Sequence, residues 1–228
     1  VKDLQLKRIA FIAALSVCMP LHAEAAYISD LVAVLGPGTL TSAPTADTTD
    51  LNNDNFAGAG IDNGNQINFE GITITDLQPI DFVIEATNSG GTSEYFMNFG
   101  TAVNDTGVAW KGLRLELGSG TGFDFMRTTN PFPGVVGLDF DFPDTDPTVS
   151  SIDLPVVEHT ADMIFFTGGV IAPGESATGQ QLSLDLPDIG GLMTYNFTLR
   201  MEVVAIPEPS MVALLGGIGC VGVFRRRR

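Results

Sequence analysis

Apolar and polar residues alternate in short runs along most of this chain, with turn-forming residues between them at roughly ten-residue intervals. The longest run covers residues 193–205. Tyr195, Phe197, Leu199, Met201 and Val203 share one parity, and Asn196, Thr198, Arg200 and Glu202 share the other. A period of two places the first set on one side of a strand and the second on the opposite side. Residues 108–117 repeat the pattern, with Leu113, Leu115 and Leu117 against Arg114 and Glu116. Runs at 67–75 and 80–87 precede Asn88-Ser89-Gly90-Gly91, which predicts a hairpin turn into a strand at 93–99. Asn104-Asp105-Thr106-Gly107 is a second turn, and residues 118–122 turn the chain into a run at 123–127. Further strand-like runs lie at 135–142, 152–157, 163–167 and 182–186. No stretch between the ends repeats at helical spacing over a useful length. The pattern predicts an all-β fold, an antiparallel β-sandwich or jelly-roll-like domain. Residues 39–65 are rich in Thr, Asp, Asn, Gly and Ala, with only Leu40, Leu51, Phe56 and Ile61 as apolar anchors. Residues 26–65 are therefore assigned to an irregular lead-in and 66–206 to the β-domain.

The two ends break the pattern. Lys2, Lys7 and Arg8 precede an apolar run at 9–19 that Pro20 closes, and Ala23-Glu24-Ala25 follows as an A-x-A cleavage site. Residues 1–25 thus read as a helical signal peptide cut after Ala25. At the other end, Pro207-Glu208-Pro209 precedes an uncharged run of fifteen residues, 210–224, and then Arg225, Arg226, Arg227 and Arg228. As a transmembrane helix that run spans about 22 Å, against about 30 Å of hydrocarbon, so it is short for a lasting anchor. Four consecutive arginines resist translocation and act as a stop-transfer signal on the cytoplasmic side. Positive charge at both ends places the intervening segment across the inner membrane.

Charge sharpens this picture. Both cysteines, Cys18 and Cys220, fall in the terminal signals, so residues 26–206 hold no disulfide and no thiol. That segment has four basic residues, Lys111, Arg114, Arg127 and Arg200, against 24 of the 27 acidic ones, a net charge of −20. Such a surface repels nucleic acid and anionic headgroups, and it attracts cations.

Candidate chemistry is sparse. Asp139 and Asp141 share one side of a strand, and Asp144 and Asp146 follow in a proline-bounded loop. These four oxygen donors make a candidate Ca²⁺ site. Asp50, Asn52 and Asp54 begin a calcium-loop pattern, but Asn55 and Ile61 stand where glycine and glutamate belong, which argues against an EF-hand and leaves a non-EF loop joined by Asp62, or a plain polar loop, as the readings. His159, beside Glu158, would need Ser150, Ser151, Ser176 or another serine to meet it in space to form a hydrolytic site, and no G-x-S-x-G elbow accompanies them. Phosphate-loop and dinucleotide fingerprints are missing too, so no enzymatic activity and no organic cofactor are expected. Trp110 reads as a core residue before it reads as a sugar-stacking ring.

The tripartite tail resembles the PEP-CTERM sorting signal of exported bacterial proteins, on Pro207, Glu208, Pro209, the glycine-rich run 210–224 and Arg225–Arg228. The resemblance implies recognition by an exosortase-type membrane peptidase at residues 207–228, transient membrane anchoring, and release to the cell surface or extracellular matrix. It also implies a structural or adhesive role beside exopolysaccharide in biofilm. Val103 to Gly107, followed by Trp110 and by Leu113 to Gly118, resembles a recurring segment of exported bacterial β-sandwich domains, which bears on fold and not on activity. A calcium-dependent carbohydrate-binding module and a secreted hydrolase are the rival readings. If the aspartate cluster holds calcium, millimolar Ca²⁺ raises the melting temperature and Asp139→Ala with Asp141→Ala removes the rise. A melting temperature indifferent to calcium eliminates that site.

Overall fold

The computed structural model describes residues 26–47, 65–88, 90–131, 137–140, 151–191 and 193–207. These form thirteen strands and one short 3₁₀ turn, in two sheets that share one hydrophobic core. The first sheet runs β1 (Tyr27–Leu35), β6 (Ile80–Asn88), β13 (Met193–Ala205), β8 (Trp110–Ser119), β11 (Met163–Ile171), β10 (Val156–Thr160), with the two-residue β9 (Met126–Arg127) also on β8. The second is built around β7 (Ser93–Asn104). One edge of β7 carries β12 (Ser176–Leu186), antiparallel. Its other edge carries β4 (Asn65–Phe69) and β5 (Ile72–Ile74) end to end and parallel to it. Short strands β3 (Thr45–Asp47) and β2 (Gly38–Leu40) flank these. All other pairings are antiparallel.

The parity read from the sequence is the parity of burial. Tyr195, Phe197, Leu199, Met201 and Val203 are buried, as are Leu113, Leu115 and Leu117 opposite them. Across the core, Phe69 stacks on Phe99 at 4.4 Å and meets the edge of Phe82, from the other sheet, at 5.3 Å. Each ring removed from water in this way contributes about 1.5–3 kcal/mol. Tyr95 of β7 also crosses the core, and its hydroxyl accepts the Ile28 N–H at 3.0 Å where β1 bulges away from β6.

Several sequence expectations are corrected. Residues 26–65 are not uniformly irregular: β1 is a nine-residue strand paired with β6, and β2 and β3 are short strands of the second sheet. Only Ala26, Ile28 and partly buried neighbours anchor β1, too few to show as alternation. The run at 67–75 is broken at Glu70-Gly71 into β4 and β5. The run at 123–127 is a 3₁₀ turn (Gly122–Asp124) followed by β9. The run at 152–157 becomes a strand only from Val156. From 135–142, the described residues Gly137–Phe140 make one bridge, Asp139 with Asp185.

The largest correction concerns β6 and β7. They are not a hairpin, because β6 already has β1 on one edge and β13 on the other. The chain instead arches from the first sheet to the second after Asn88, and returns to the first after Asn104. A fully buried asparagine ties each arch. Asn88 Nδ2 donates to Asp188 Oδ1 at 3.1 Å and to Gly191 O at 3.0 Å. Asn104 Nδ2 donates to Val108 O at 2.8 Å and Ile171 O at 3.0 Å, and its Oδ1 accepts from the Thr106 hydroxyl at 2.8 Å and the Thr106 N–H at 3.1 Å. Its own N–H and C=O bond Glu175 O and Gly174 N, and Trp110 Nε1 donates to Thr106 Oγ1 at 3.0 Å. The segment singled out in the sequence is thus a hydrogen-bonded knot where β7, β8, β11 and β12 meet.

Removing the amide strands buried carbonyls, at about 1–3 kcal/mol for each group left without a partner. Asn104→Ala is expected to lower unfolding free energy by about 3 kcal/mol in urea titrations. Asn104→Asp, which keeps the acceptor and loses the donors, is expected to do nearly as much. A loss for both within the error of the titration would show that the knot does not hold the arch.

Candidate functional site

The face of the first sheet turned away from the core gathers the domain's guanidinium groups. Register places Arg200 of β13 between Asp81 of β6 and Glu116 of β8, and Glu202 beside Arg114. Arg200 grips Asp81 with two parallel bonds, Nε to Oδ1 at 2.6 Å and Nη2 to Oδ2 at 2.8 Å. The geometry is bidentate, and both side chains are largely shielded, at 12% and 4% exposure. Arg114 bonds Glu202 through Nη2 and makes an ionic contact of 3.4 Å to Glu116. The Glu202 hydrogen bond raises the Arg114 pKa further, against the opposing effect of burial. Arg127 reaches Asp162 at 3.1 Å and Glu116 at 3.8 Å. Three of the four basic residues of segment 26–206 are therefore committed to acids on this one face, and Lys111 is exposed at the start of β8.

The Arg200–Asp81 pair also fixes a loop. Asp81 Oδ2 accepts the Gly122 N–H at 2.7 Å, Arg200 Nη2 donates to Gly122 O at 2.8 Å, and the guanidinium lies 3.9 Å from the centre of the Phe125 ring. Thr198 Oγ1 donates to Gly120 O at 2.8 Å. Gly118 lets β9 close on β8, since a Cβ there would stand 2.3 Å from the Met126 carbonyl oxygen. So held, the loop presents Phe123 fully exposed and Met126 two-thirds exposed. A loop backbone held in place lowers the ordering cost of any contact that Phe123 makes.

A concave feature opens between β1 and the β2–β4 edge of the other sheet. This cleft of about 380 Å³ is lined by Ile28, Leu31, Leu40, Ile67, Phe69 and Ile84, with exposed Ser29 and Asp30 alongside. Beside it, Ser29 Oγ donates to Glu85 Oε1 at 2.8 Å, and Thr87 Oγ1 lies 3.2 Å from Thr194 Oγ1.

Among the residues proposed from sequence, Pro207 is exposed at the end of β13. Glu208, Pro209, Arg225–Arg228, Ala23 and Ala25 lie outside the described residues. Of the aspartate cluster, Asp139 is described, and Asp141, Asp144 and Asp146 are not. Asp139 sits between buried Leu138 and Phe140, its backbone oxygen accepts the Asp185 N–H at 2.9 Å, and partial burial raises its carboxyl pKa. Among the described residues no group of three or more His, Cys, Asp or Glu side chains is arranged to hold a metal ion. Asp50, Asn52 and Asp54 also lie outside them. Trp110 is wholly buried, so its ring cannot stack on a sugar. His159 is on the edge strand β10, where burial lowers its pKa. Ser151 instead accepts hydrogen bonds from Leu154 N and Gln180 Nε2, and Ser176 opens β12 opposite Val103.

Sequence reading missed both the arginine face and the cleft. A hint of the first was present: Arg114 and Arg200 fall on the polar parity of their strands, alongside Glu116 and Glu202. No helix among the described residues is long and apolar enough to cross a membrane. No protein-family model, curated protein or solved structure matches the chain.

Asp81 is buried enough that losing it leaves Arg200 without a counter-charge in a shielded site. Asp81→Ala is expected to destabilise the domain by about 3–5 kcal/mol in chemical denaturation. Replacing Asp81 and Arg200 together by apolar residues is expected to cost less than Asp81→Ala alone. The opposite order would mean that the pair contributes no more than its separate packing.

Proposed function

We propose that the chain is an exported bacterial surface or matrix protein whose folded part, a β-sandwich, is cargo for its own C-terminal sorting tail. The observation that carries this reading is the course of β13. This strand lies between β6 and β8 in the middle of the first sheet, and its last hydrogen-bonded residue, Ile206, is followed at once by Pro207 of the Pro-Glu-Pro motif. The folded unit therefore ends where the tail begins. A signal at residues 1–25 would start translocation, the arginines would stop it, and an exosortase-type membrane peptidase would act near Pro207, Glu208 and Pro209.

The surface chemistry supports a structural or adhesive role near exopolysaccharide. With three arginines paired, the acids outside those pairs dominate the surface, which favours solubility and divalent counter-ions. The pinned Phe123 adds an apolar contact point.

Mass spectrometry of the protein recovered outside the cell tests this reading. The expected mature form starts at Ala26 and lacks residues 212–228. A form that still carries 212–228 would replace sorting by plain anchoring.

A further inference from the structure

The folded domain and the membrane segment are joined by very little chain. Ile206 donates its N–H to Ala109 O at 2.8 Å, and Ala205 pairs with Trp110. Only Pro207, Glu208 and Pro209 then separate Ile206 from the apolar run that begins at Ser210. Three fully extended residues reach at most about 10 Å. A membrane-embedded peptidase working on this stretch must meet the folded end of β13 directly, or that end must let go.

The hold on the last two residues differs from the hold on the rest of the strand. Pairing with β6 ends at Met201, opposite Ile80, so beyond that point β8 is the strand that holds β13. A register shift then separates the Val204–Gly112 pair from the Ala205–Trp110 pair. Past the shift, Ala205 and Ile206 form a separate two-residue contact. The other side of that contact is immobilised, because Trp110 is buried with its Nε1 on Thr106 and Asn104 bonds the Val108 carbonyl just upstream. One partner is thus fixed by the core, and the other is a short flap at a strand end, where backbone pairing opens most readily.

We propose that Ala205 and Ile206 form a releasable clip that sets how far the tail reaches toward the processing enzyme. This inference rests on the sorting reading above. Closed, the clip limits the reach to about 10 Å; released back to the register shift, the free stretch grows to five residues and about 17 Å. The clip positions the processed segment and takes no part in bond cleavage. Ala109 and Ile206 are its positioning residues.

The test uses the full chain in the producing cell, in a Cys220→Ser background so that Ala109→Cys and Ile206→Cys are the only thiols past the signal peptide. Ile206 and Ala109 continue the Ala205–Trp110 register by one residue, and residues opposed in an antiparallel pair lie about 5.5 Å apart at Cα, within disulfide range. Pulse-chase labelling reads the rate at which the tail is removed. The oxidised pair is expected to slow removal by about tenfold or more, and dithiothreitol to restore it. Inserting Gly-Ser-Gly-Ser between Ile206 and Pro207 is expected to restore removal with the disulfide still closed. Equal rates in the oxidised and reduced chains would overturn the clip and leave sorting intact, as would an insertion that restores nothing. A tail retained even in the reduced chain would remove the sorting reading itself, and the clip with it. Unchanged melting of the reduced double variant checks that the domain is still folded.

Discussion

Everything in this domain depends on the chain crossing to the second sheet to form β7 and being held there at both ends. Its N-terminal arch is tied by Asn88 and its C-terminal arch by Asn104, both without solvent exposure. A buried amide is costly unless every donor and acceptor finds a partner, and here the partners are the Asp188 carboxylate, the Thr106 hydroxyl and backbone carbonyls of the turns at Gly191 and Val108 and of the end of β11 at Ile171. The exchange works in both directions. The turns and the end of β11 satisfy the asparagines, and the asparagines fix which of these segments meet. Once β7 is fixed, β12 and the β4–β5 pair have their two edges to bind, and Tyr95, Met97 and Phe99 face the first sheet.

The same constraint gives the molecule two distinct ends. Ala26 donates to Gly91 O beside the Asn88 arch, and Ile206 donates to Ala109 O beside the Asn104 arch. The chain therefore enters the domain at one end and leaves it at the other. The exit end carries the Asn104 knot, and the entry end carries the Asn88 arch.

Scarcity of positive charge shapes the outer face of the first sheet. A chain with 24 acids and four bases between residues 26 and 206 has few ways to neutralise a carboxylate that folding shields. Asp81 becomes shielded because the loop carrying Gly120 to Phe125 lies over it, and Arg200, at the register-opposed position of β13, answers it. Arg114 and Arg127 do the same for Glu116, Glu202 and Asp162, where folding brings acids together. The desolvation cost of a buried carboxylate is offset only by a close, hydrogen-bonded partner, so these arginines are committed to structure.

Much of the fold is legible in the chain because burial on one side of a strand imposes a period of two. That period is plain in Tyr195 to Val203 and in Leu113 to Leu117, and in both places parity and burial agree. The charged and apolar runs at the two ends are plain for a different reason, since charge and apolar length are properties of composition. Turn residues told less. Asn88 and Asn104 marked reversals correctly, but a reversal does not say which sheet the next strand will join, since that depends on edges already occupied by β1 and β13. β1 was missed because its core contacts are few and its register is bulged. Arg200 and Asp81 lie 119 residues apart, and no local pattern links them. The sequence by itself determined the strand faces, the charge and the cysteine-free interior, all of which follow from side chains and their nearest neighbours. Only the tertiary structure decided which edges pair, where the arches cross and which acids each arginine answers, because those depend on distances between residues remote along the chain.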